Sequence, residues 1–300
     1  MIDYKNIDEI LIWKDNKIIL EIKNKRPAKK FTPNYLSNLY TPYKGNKHTI
    51  QSITKSILSL LFGVAIQNNH IAIKILNKPI YNYFDDYLLS KKIKIKHLLT
   101  MTSGISWNTN YDDPNNTTFQ MEKSKDWIKF ILQQKMENEA GKKFHYKDCD
   151  TVLLGYIFTK LTNMSVDDYA KKYLFKPLGI IAYWNKINSF ADVEGGLYMS
   201  CKSLLNIGKL ILQNGNYNNN QILSQEYLKI MIKNYRQNKD FFGYGFQWWL
   251  HKKVIFGWGY KGQYLVIIPD KKIIGVLFQW SKNKEIQPYA FINILSSIFY

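Results

Sequence analysis

The chain has 300 residues, of which 46% are hydrophobic, and it carries a formal net charge of +19. A chain of this length can bury a full core as one large domain or as two interleaved ones. Its basic residues are almost all lysines scattered along the sequence, with arginine only at Arg26 and Arg236. Because base readout and phosphate recognition favour arginine, we expect no specific nucleic-acid partner.

Cysteine and histidine usage argues against metal chemistry. Cys149 and Cys201 are too few for a disulfide framework or a cysteine-based metal site, and the five histidines show no ligand spacing. We therefore expect no metal and no other cofactor. No run approaches 18 uninterrupted apolar residues, which predicts no transmembrane segment. The N-terminus lacks the apolar core of a signal peptide. The chain as given is expected to be cytoplasmic, or extracytoplasmic if it is a trimmed mature form.

Strand patterns stand near both ends of the chain, and helical patterns lie between them. Apolar runs at residues 10–13 and 18–22, joined by a polar turn, predict a β-hairpin. Helical periodicity predicts a helix from Ser52 to about Gln67 and mostly helical structure from residue 75 to about 178. Further predicted elements are a capping box opening a helix at Ser165, a helix at 203–212, strands at 244–250, 254–257, 262–268 and 273–279, and a final helix at about 288–297.

This order of elements predicts an α+β fold. An antiparallel sheet would be assembled from the two chain ends and flanked by helices, with a mostly helical domain inserted in the middle. We place the sheet domain at residues 1–73 and 190–300, and the inserted helical domain at residues 74–189.

The sequence Ser52-Ile53-Thr54-Lys55 stands at the start of the predicted apolar helix. On a helix, Ser52 and Lys55 share a face, so the hydroxyl and the amine can share a proton. A serine hydroxyl becomes a nucleophile only when a nearby base removes its proton. Burial is expected to lower the pKa of Lys55 and to keep more of it neutral. A second Ser-x-x-Lys at residues 281–284 lies in a polar run that is typical of a solvated turn.

Four further segments follow this motif in order. They are residues 97–104 (HLLTMTSG), 141–146 (GKKFHY), 194–198 (EGGLY) and 259–263 (GYKGQ). This set, in this order and spacing, resembles the serine β-lactamase and penicillin-binding-protein-like hydrolases over essentially the whole chain. The nearest branch is that of the carboxylesterases and 6-aminohexanoate-dimer hydrolases, which residues 107–114 and 146–157 resemble most.

The resemblance implies catalysis through an acyl-enzyme. It makes Ser52 the nucleophile, and Lys55 either a general base or the group that holds a neighbouring base ionised. Tyr146 matches the tyrosine that opens the family's second motif, which passes the proton to the leaving group and later activates water. The backbone N–H groups of Ser52 and Gln263 would form the oxyanion hole.

Four more residues are implied substrate contacts. Tyr111 aligns with a substrate-positioning tyrosine of the amidase branch, and Asp148 stands where many relatives carry Asn. Trp258 precedes the third motif and Gly262 lies within it, where glycine lets a strand edge approach a substrate closely. Lys261, also in this motif, is either an attractant for an anionic substrate group or one more solvated lysine.

Two departures from the family pattern bear on the substrate. An ionised Asp148 only accepts hydrogen bonds, whereas Asn also donates, and the third motif lacks the Lys-Thr-Gly of many β-lactamases. Both disfavour recognition of a β-lactam. We therefore expect a serine hydrolase that cleaves a small ester or amide. The alternatives are a D-alanyl peptidase or weak β-lactamase and, in a different class, a non-catalytic binding protein that keeps the fold.

Overall fold

The computed structural model describes residues 7–24, 41–84, 91–236, 242–280 and 285–297. Within these ranges the strands are β1 Glu9–Lys14, β2 Lys17–Lys23, β3 Tyr43–Lys44, β4 Lys47–Thr49, β5 Tyr183–Trp184, β6 Lys186–Ile187, β7 Phe190–Ala191, β8 Leu197–Met199, β9 Asn216–Tyr217, β10 Asn220–Gln221, β11 Gly243–Tyr244, β12 Trp249–His251, β13 Val254–Gly259, β14 Gln263–Ile268 and β15 Ile273–Phe278.

The helices of the described ranges are α1 Ile53–Gln67, α2 Ile95–Leu99, α3 Thr117–Lys123, α4 Trp127–Leu132, α5 Asp148–Thr162, α6 Val166–Ala170, α7 Cys201–Leu212, α8 Gln225–Met231 and α9 Pro288–Ser297. Short 3₁₀ segments lie at Ile73–Asn77, Ile80–Tyr83 and Pro269–Lys271, and a π-helical turn lies at Lys171–Phe175. In these ranges, no helix combines the length and the apolar character that crossing a bilayer would need.

The main sheet has seven strands in the order β11-β12-β13-β14-β15-β1-β2, and each neighbouring pair is antiparallel. The predicted hairpin β1–β2 turns at Asp15 and Asn16, which both take positive φ. β1 pairs with β15 in the register Glu9 to Phe278. The two chain ends therefore share one sheet, as the sequence predicted.

Helices cover both faces of this sheet. A Cβ on Gly208 of α7 would meet Ile274, whereas a Cβ on the neighbouring strand residue Gly275 would meet Leu295 of α9. Because successive strand residues point to opposite faces, α7 and α9 lie on opposite sides of the sheet. This arrangement confirms the predicted flanking helices. The described part of residues 74–189 carries α2 to α6 with β5 and β6, and the domain boundaries stay a prediction.

Helix α1 is buried on all sides rather than on one face. Every residue from Ile53 to Ala65 is buried, and α1 contacts both β13 and α5. A helix that is buried all round belongs to the interior of a large protein. Its first turn, which carries Lys55, is therefore held by packing between the sheet and the helical part of the chain.

The prediction of one continuous strand at 244–250 is wrong. It is divided into β11 and β12 by a turn in which Gln247 takes φ +61°. The backbone N–H of Gln247 donates to the Leu99 carbonyl at 2.9 Å. Its side chain donates to the Leu98 carbonyl at 3.0 Å and accepts from Thr151 at 2.9 Å. These buried hydrogen bonds to α2 and α5 favour the turn over a continuous strand.

A second sheet, in the order β3-β4-β8-β5, positions the nucleophile and one wall of the site. Thr49 of β4 pairs with Tyr198 of β8. Ser52 follows β4 after a short turn, and Glu194 comes shortly before β8. This pairing therefore brings Glu194 close to the start of α1.

Candidate active site

Ser52 and Lys55 lie side by side at the start of α1. Lys55 Nζ is 3.2 Å from Ser52 Oγ and donates to the Glu194 carbonyl at 2.7 Å. The residue before the serine, Gln51, takes φ +48°, and its side-chain amide donates to Thr49 Oγ1 at 2.9 Å. The turn that presents Ser52 is thus fixed by hydrogen bonds on one side and by a fully packed helix on the other.

Lys55 also forms a buried ion pair with Asp148. The distance from Lys55 Nζ to Asp148 Oδ1 is 2.7 Å, and the two side chains are 2% and 6% exposed. Burial alone would lower the pKa of Lys55, but the Asp148 carboxylate, Tyr146 and Glu194 outweigh it and raise the pKa above its ordinary value. The expectation that Lys55 has a lowered pKa is therefore wrong. Lys55 is an ammonium at neutral pH.

Asp148 begins α5, where the positive end of the helix dipole favours a carboxylate. Burial would raise its pKa, but Lys55 and a hydrogen bond from Thr118 hold the pKa below the ordinary value. Thr118 Oγ1 lies 2.7 Å from Asp148 Oδ2, and the Tyr111 hydroxyl lies 3.5 Å from the same oxygen. Tyr111 is half exposed and stacks on Tyr260 with ring centroids 6.2 Å apart.

The Tyr146 ring lines the cavity beside Ser52, with its centre 5.7 Å from Lys55 Nζ. It stacks on Trp249 at 5.4 Å and meets Tyr244 edge-on at 6.0 Å, which fixes the direction of the hydroxyl. Burial raises the pKa of Tyr146, although the Lys55 ammonium and the nearby Ser52 side chain oppose this. Tyr146 is therefore a phenol at neutral pH, beside the nucleophile.

The third motif reaches the site through its first glycine. A Cβ on Gly259 would lie 2.4 Å from the Ile50 carbonyl oxygen and 3.0 Å from Gln51 Cβ, so only glycine allows β13 to approach the turn before Ser52 this closely. Trp258, Gly259 and Tyr260 all line the cavity beside Ser52.

Gly262 and Gln263 are not among the residues that line this cavity. Gly262 takes φ +87° and packs against Glu285, whose Cγ would lie 3.3 Å from a Cβ on Gly262. Gly262 thus acts on the site through Glu285. The Gln263 side chain is fully buried and donates to the Tyr260 carbonyl at 3.2 Å. The oxyanion role of its backbone N–H stays a prediction.

Lys261 was expected either to attract an anionic substrate group or to be solvated, and the second expectation is wrong. Its side chain is buried, with Nζ 4.2 Å from the centre of the Trp280 ring. It is also absent from the cavity lining. The Ser-x-x-Lys at 281–284 lies outside the described residues.

The cavity beside Ser52 has a volume of about 360 Å³. Its walls combine aromatic rings with carboxyl groups, and Lys55 is the one lysine among the described lining residues. The lining residues are Gln51, Ser52, Lys55, Tyr111, Thr118, Glu122, Tyr146, Asp148, Glu194, Gly195, Trp249, Trp258, Gly259, Tyr260 and Glu285.

Three of these carboxyl groups, those of Glu122, Glu194 and Glu285, were not predicted as site residues. The carboxyl groups of Glu122, Glu194 and Asp148 lie close enough to influence one another electrostatically. Burial and the neighbouring carboxylates raise the pKa of Glu122 to about 8 and the pKa of Glu194 well above its ordinary value. Glu122 therefore holds its proton at neutral pH.

The sequence held a weak signal for Glu194 and for Glu122. Glu194 opens the 194–198 motif, but no residue of that motif was assigned a role from the sequence. Thr118 and Glu122 stand four residues apart on α3, which places them on one face, yet nothing in the sequence says that this face meets Ser52. Of the predicted site residues, the structure brings together Ser52, Lys55, Tyr111, Tyr146, Asp148 and Trp258. In the described ranges, no group of three or more His, Cys, Asp or Glu side chains is arranged to hold a metal ion.

The fold is shared with several solved hydrolases and penicillin-binding proteins. A 6-aminohexanoate-dimer hydrolase of Bacillus anthracis, so named provisionally, superposes with a TM-score of 0.76 at 19% identity, over 97% of this chain and 79% of that chain. A penicillin-binding protein of Bacillus halodurans gives a TM-score of 0.76 at 15% identity, over 99% and 98% of the two chains.

A sequence relative is known from Salmonella paratyphi B, where it is provisionally named a D-alanyl-D-alanine carboxypeptidase. It is 28% identical over 182 residues, which are 57% of this chain and 41% of the relative. The aligned part thus spans less than half of that protein. The Beta-lactamase family model matches residues 9–296. With the fold and the Ser52–Lys55–Tyr146 arrangement, this match over nearly the whole chain shows that the protein belongs to the Beta-lactamase family of serine hydrolases.

Proposed function

We propose that the protein hydrolyses a small ester or amide through an acyl-enzyme on Ser52. The observation that carries the proposal is the grouping of one serine hydroxyl with two proton-bearing side chains in a single cavity. Ser52 Oγ lies 3.2 Å from Lys55 Nζ, and the Tyr146 ring lines the same cavity with its centre 5.7 Å from Lys55 Nζ. A nucleophile beside its own acid–base groups is the arrangement that acyl transfer requires.

Among the two roles considered for Lys55, its charge favours the second, that of holding a neighbouring base ionised. The ammonium of Lys55 lowers the cost of a Tyr146 phenolate, so the two groups titrate as a unit. When the unit has lost one proton, Tyr146 takes the proton of Ser52 as Oγ attacks the carbonyl carbon. Tyr146 then passes this proton to the leaving alcohol or amine. Water repeats the sequence to release the acid.

The developing oxyanion needs backbone donors near Ser52. The backbone N–H of Ser52 supplies one. For the second, we propose the backbone N–H of Tyr260 in place of that of Gln263. Tyr260 lines the cavity and directly follows Gly259, which lies against residues 50 and 51.

The test is covalent labelling of the nucleophile with a fluorophosphonate, followed by peptide mapping in a mass spectrometer. We expect one label, on Ser52, and its loss in Ser52→Ala. The matched control is Ser281→Ala, which removes the serine of the other Ser-x-x-Lys and is expected to leave labelling intact. A label that survives Ser52→Ala, or an unlabelled wild type, would refute the assignment and favour a binding protein that keeps the fold.

A further inference from the structure

A second cavity lies behind the wall of the site that carries Glu194. It has a volume of about 390 Å³ and is bounded by α4, α5 and the hairpin β6–β7. The turn of this hairpin is fastened by the Asn188 side chain, which donates to the Lys125 carbonyl at 2.8 Å. Its first strand is fastened by Lys186, whose Nζ lies 2.6 Å from a carboxylate oxygen of Asp167 on α6. The hairpin therefore forms one wall of a preformed cavity.

A short segment of backbone separates the second cavity from the cavity beside the nucleophile. The first two residues of the segment 192–195 line the second cavity, and the last two line the cavity beside the nucleophile. The buried Asp192 side chain accepts from the backbone N–H groups of Glu194 and Gly195, each at 3.3 Å. The Glu194 carbonyl in turn accepts from Lys55 at 2.7 Å. A displacement of this segment would therefore be transmitted to Lys55.

The lining of the second cavity is mostly apolar. The side chains of Trp127, Tyr156 and Phe190 line it, together with several valine and isoleucine side chains. Phe190 is 54% exposed, and the centroid of its ring lies 6.3 Å from that of Tyr156. A flat apolar ligand would cover exposed surface of Phe190 and remove it from water, which is favourable. Apolar cavities with few polar groups are the usual binding sites of small organic molecules.

The charged side chains of this lining favour neither an anion nor a cation. Lys125 and Asp126 are adjacent, exposed and opposite in sign. The third charged residue of the described lining, Asp192, is buried, and its side chain already accepts two backbone N–H groups. An ion of either sign would also lose hydration in a mostly apolar cavity, which costs free energy. The lining therefore suits a neutral molecule.

Helix α5 and the segment 192–195 meet in the second cavity. A Cβ on Gly155 would lie 3.0 Å from a methyl carbon of Val193, and both residues line the cavity. A ligand here contacts the helix and the segment at once. It thereby stabilises the position of the segment in which the Glu194 carbonyl accepts from Lys55. A ligand that binds one arrangement better than others shifts the population toward that arrangement.

We propose that the second cavity binds a neutral aromatic molecule, and that this ligand accelerates nucleophilic attack by Ser52. The binding site is independent of the proposed function, whereas the effect on the rate rests on it. The two cavities are then coupled sites, with the segment 192–195 as the element that both ligands contact.

The first experiment measures binding to the second cavity. Benzyl alcohol, benzoate and benzylammonium, which share one ring and differ in charge, are titrated into the wild-type protein and followed by ligand-observed NMR. We expect benzyl alcohol to bind with a Kd that rises at least about fivefold in Phe190→Ala, because the variant removes an aromatic ring from the binding surface. Neither ion should show binding that depends on Phe190.

The matched control is Tyr183→Ala. Tyr183 lies on β5 and is 45% exposed, close to the 54% of Phe190, but it is outside the cavity lining. The Kd of benzyl alcohol should therefore stay unchanged in this variant. Absence of binding to the wild type, or the same Kd in Phe190→Ala, would overturn the site. Binding of either ion that depends on Phe190 would overturn the neutral ligand class.

The second experiment measures the effect on the nucleophile. The rate at which a fluorophosphonate labels Ser52 is followed as benzyl alcohol is added. We expect this rate to rise at least about fivefold at saturation, the lower end of typical coupling between two sites. The concentration that gives half of the rise should increase in Phe190→Ala as the Kd does, and stay unchanged in Tyr183→Ala.

Three results would contradict these expectations. An unchanged labelling rate would overturn the coupling. A fall in the rate that is the same in Phe190→Ala would place the alcohol in the cavity beside Ser52 and overturn the proposal. A wild type that is never labelled would refute the hydrolase, whereas the comparison of Kd values would still decide whether the second site exists.

Discussion

Lys55 and Asp148 form a buried ion pair directly beneath the serine, with 2.7 Å between the ammonium nitrogen and a carboxylate oxygen. The lysine next to the nucleophile is therefore held charged, although it is buried. A charged Lys55 cannot itself accept the Ser52 proton at neutral pH. It can, however, stabilise the phenolate of Tyr146, and the predictions below depend on this division of roles.

Removal of one member of the ion pair should cost stability as well as activity. Lys55→Met leaves a buried carboxylate at Asp148, and breaking such a pair typically costs about 3–5 kcal/mol of unfolding free energy. The double variant Lys55→Met/Asp148→Asn removes both charges and should recover most of that loss, while hydrolysis stays abolished. Urea denaturation of the three proteins checks this. A double variant as unstable as the single one would show that the charge pair is not the source of the loss.

The pH dependence of hydrolysis should move when Asp148 becomes Asn. The Asp148 carboxylate is the strongest influence that raises the pKa of Lys55, and burial acts to lower it. Without the carboxylate, the Lys55–Tyr146 unit gives up its proton at lower pH, so the rising limb of kcat/KM should shift toward lower pH. Asp270→Asn, an exposed site paired with Lys253, is the control and should leave the limb in place. An unchanged limb in Asp148→Asn would mean that another group carries the titration.

Tyr146→Phe should abolish proton transfer by this residue and preserve the packing of its ring. The phenylalanine ring preserves the contacts with Trp249 and Tyr244, but it lacks the atom that carries the proton. We expect kcat to fall by roughly 10²–10⁴-fold with little change in melting temperature. Combination with Lys55→Ala should be scarcely worse than the worse single variant, because residues that act as a unit are not additive. Near wild-type kcat in Tyr146→Phe would reduce Tyr146 to a packing residue.

Esters should be preferred to β-lactams. Asp148 is an acceptor held ionised by Lys55, so it cannot donate to the side-chain carbonyl of a β-lactam as Asn would. We expect kcat/KM for p-nitrophenyl acetate or butyrate to exceed that for nitrocefin at least about tenfold. Asp148→Asn, which supplies the missing donor, should narrow this ratio. Efficient nitrocefin turnover with negligible esterase activity would reverse the ranking and favour the β-lactamase alternative.

The sequence predicted the parts of the fold that depend on local patterns. Two apolar runs joined by a polar turn predicted the hairpin β1–β2, and the apolar run after Ser52 predicted α1 to its observed end at Gln67. The break at Gln247 was missed because its hydrogen-bond partners, Leu98, Leu99 and Thr151, are distant in sequence. A local pattern cannot report a turn that is stabilised by long-range contacts.

The same limit applies to the site. Ser52, Lys55 and Tyr146 stand in recognisable motifs, and the structure brings them into one cavity. Burial of Lys55 could also be read from the sequence, but its pairing with Asp148 could not, so the direction of its pKa shift was predicted wrongly. Glu122 reaches the cavity because α3 meets the start of α5, where Thr118 donates to Asp148. No periodicity in the sequence predicts this contact between helices.

The hydrogen bonds of Gln247 bear on how the protein unfolds. Besides its bonds to α2 and α5, its carbonyl accepts from Ser56 of α1 at 2.6 Å. The side chain, the N–H and the carbonyl of this one residue thus tie the sheet to three helices from the rest of the chain. Loosening of any one of these helices exposes buried hydrogen-bonding groups in the others, so they are expected to open in one cooperative step. Amide protons of α1 and of β12 should then exchange with solvent at the same slow rate.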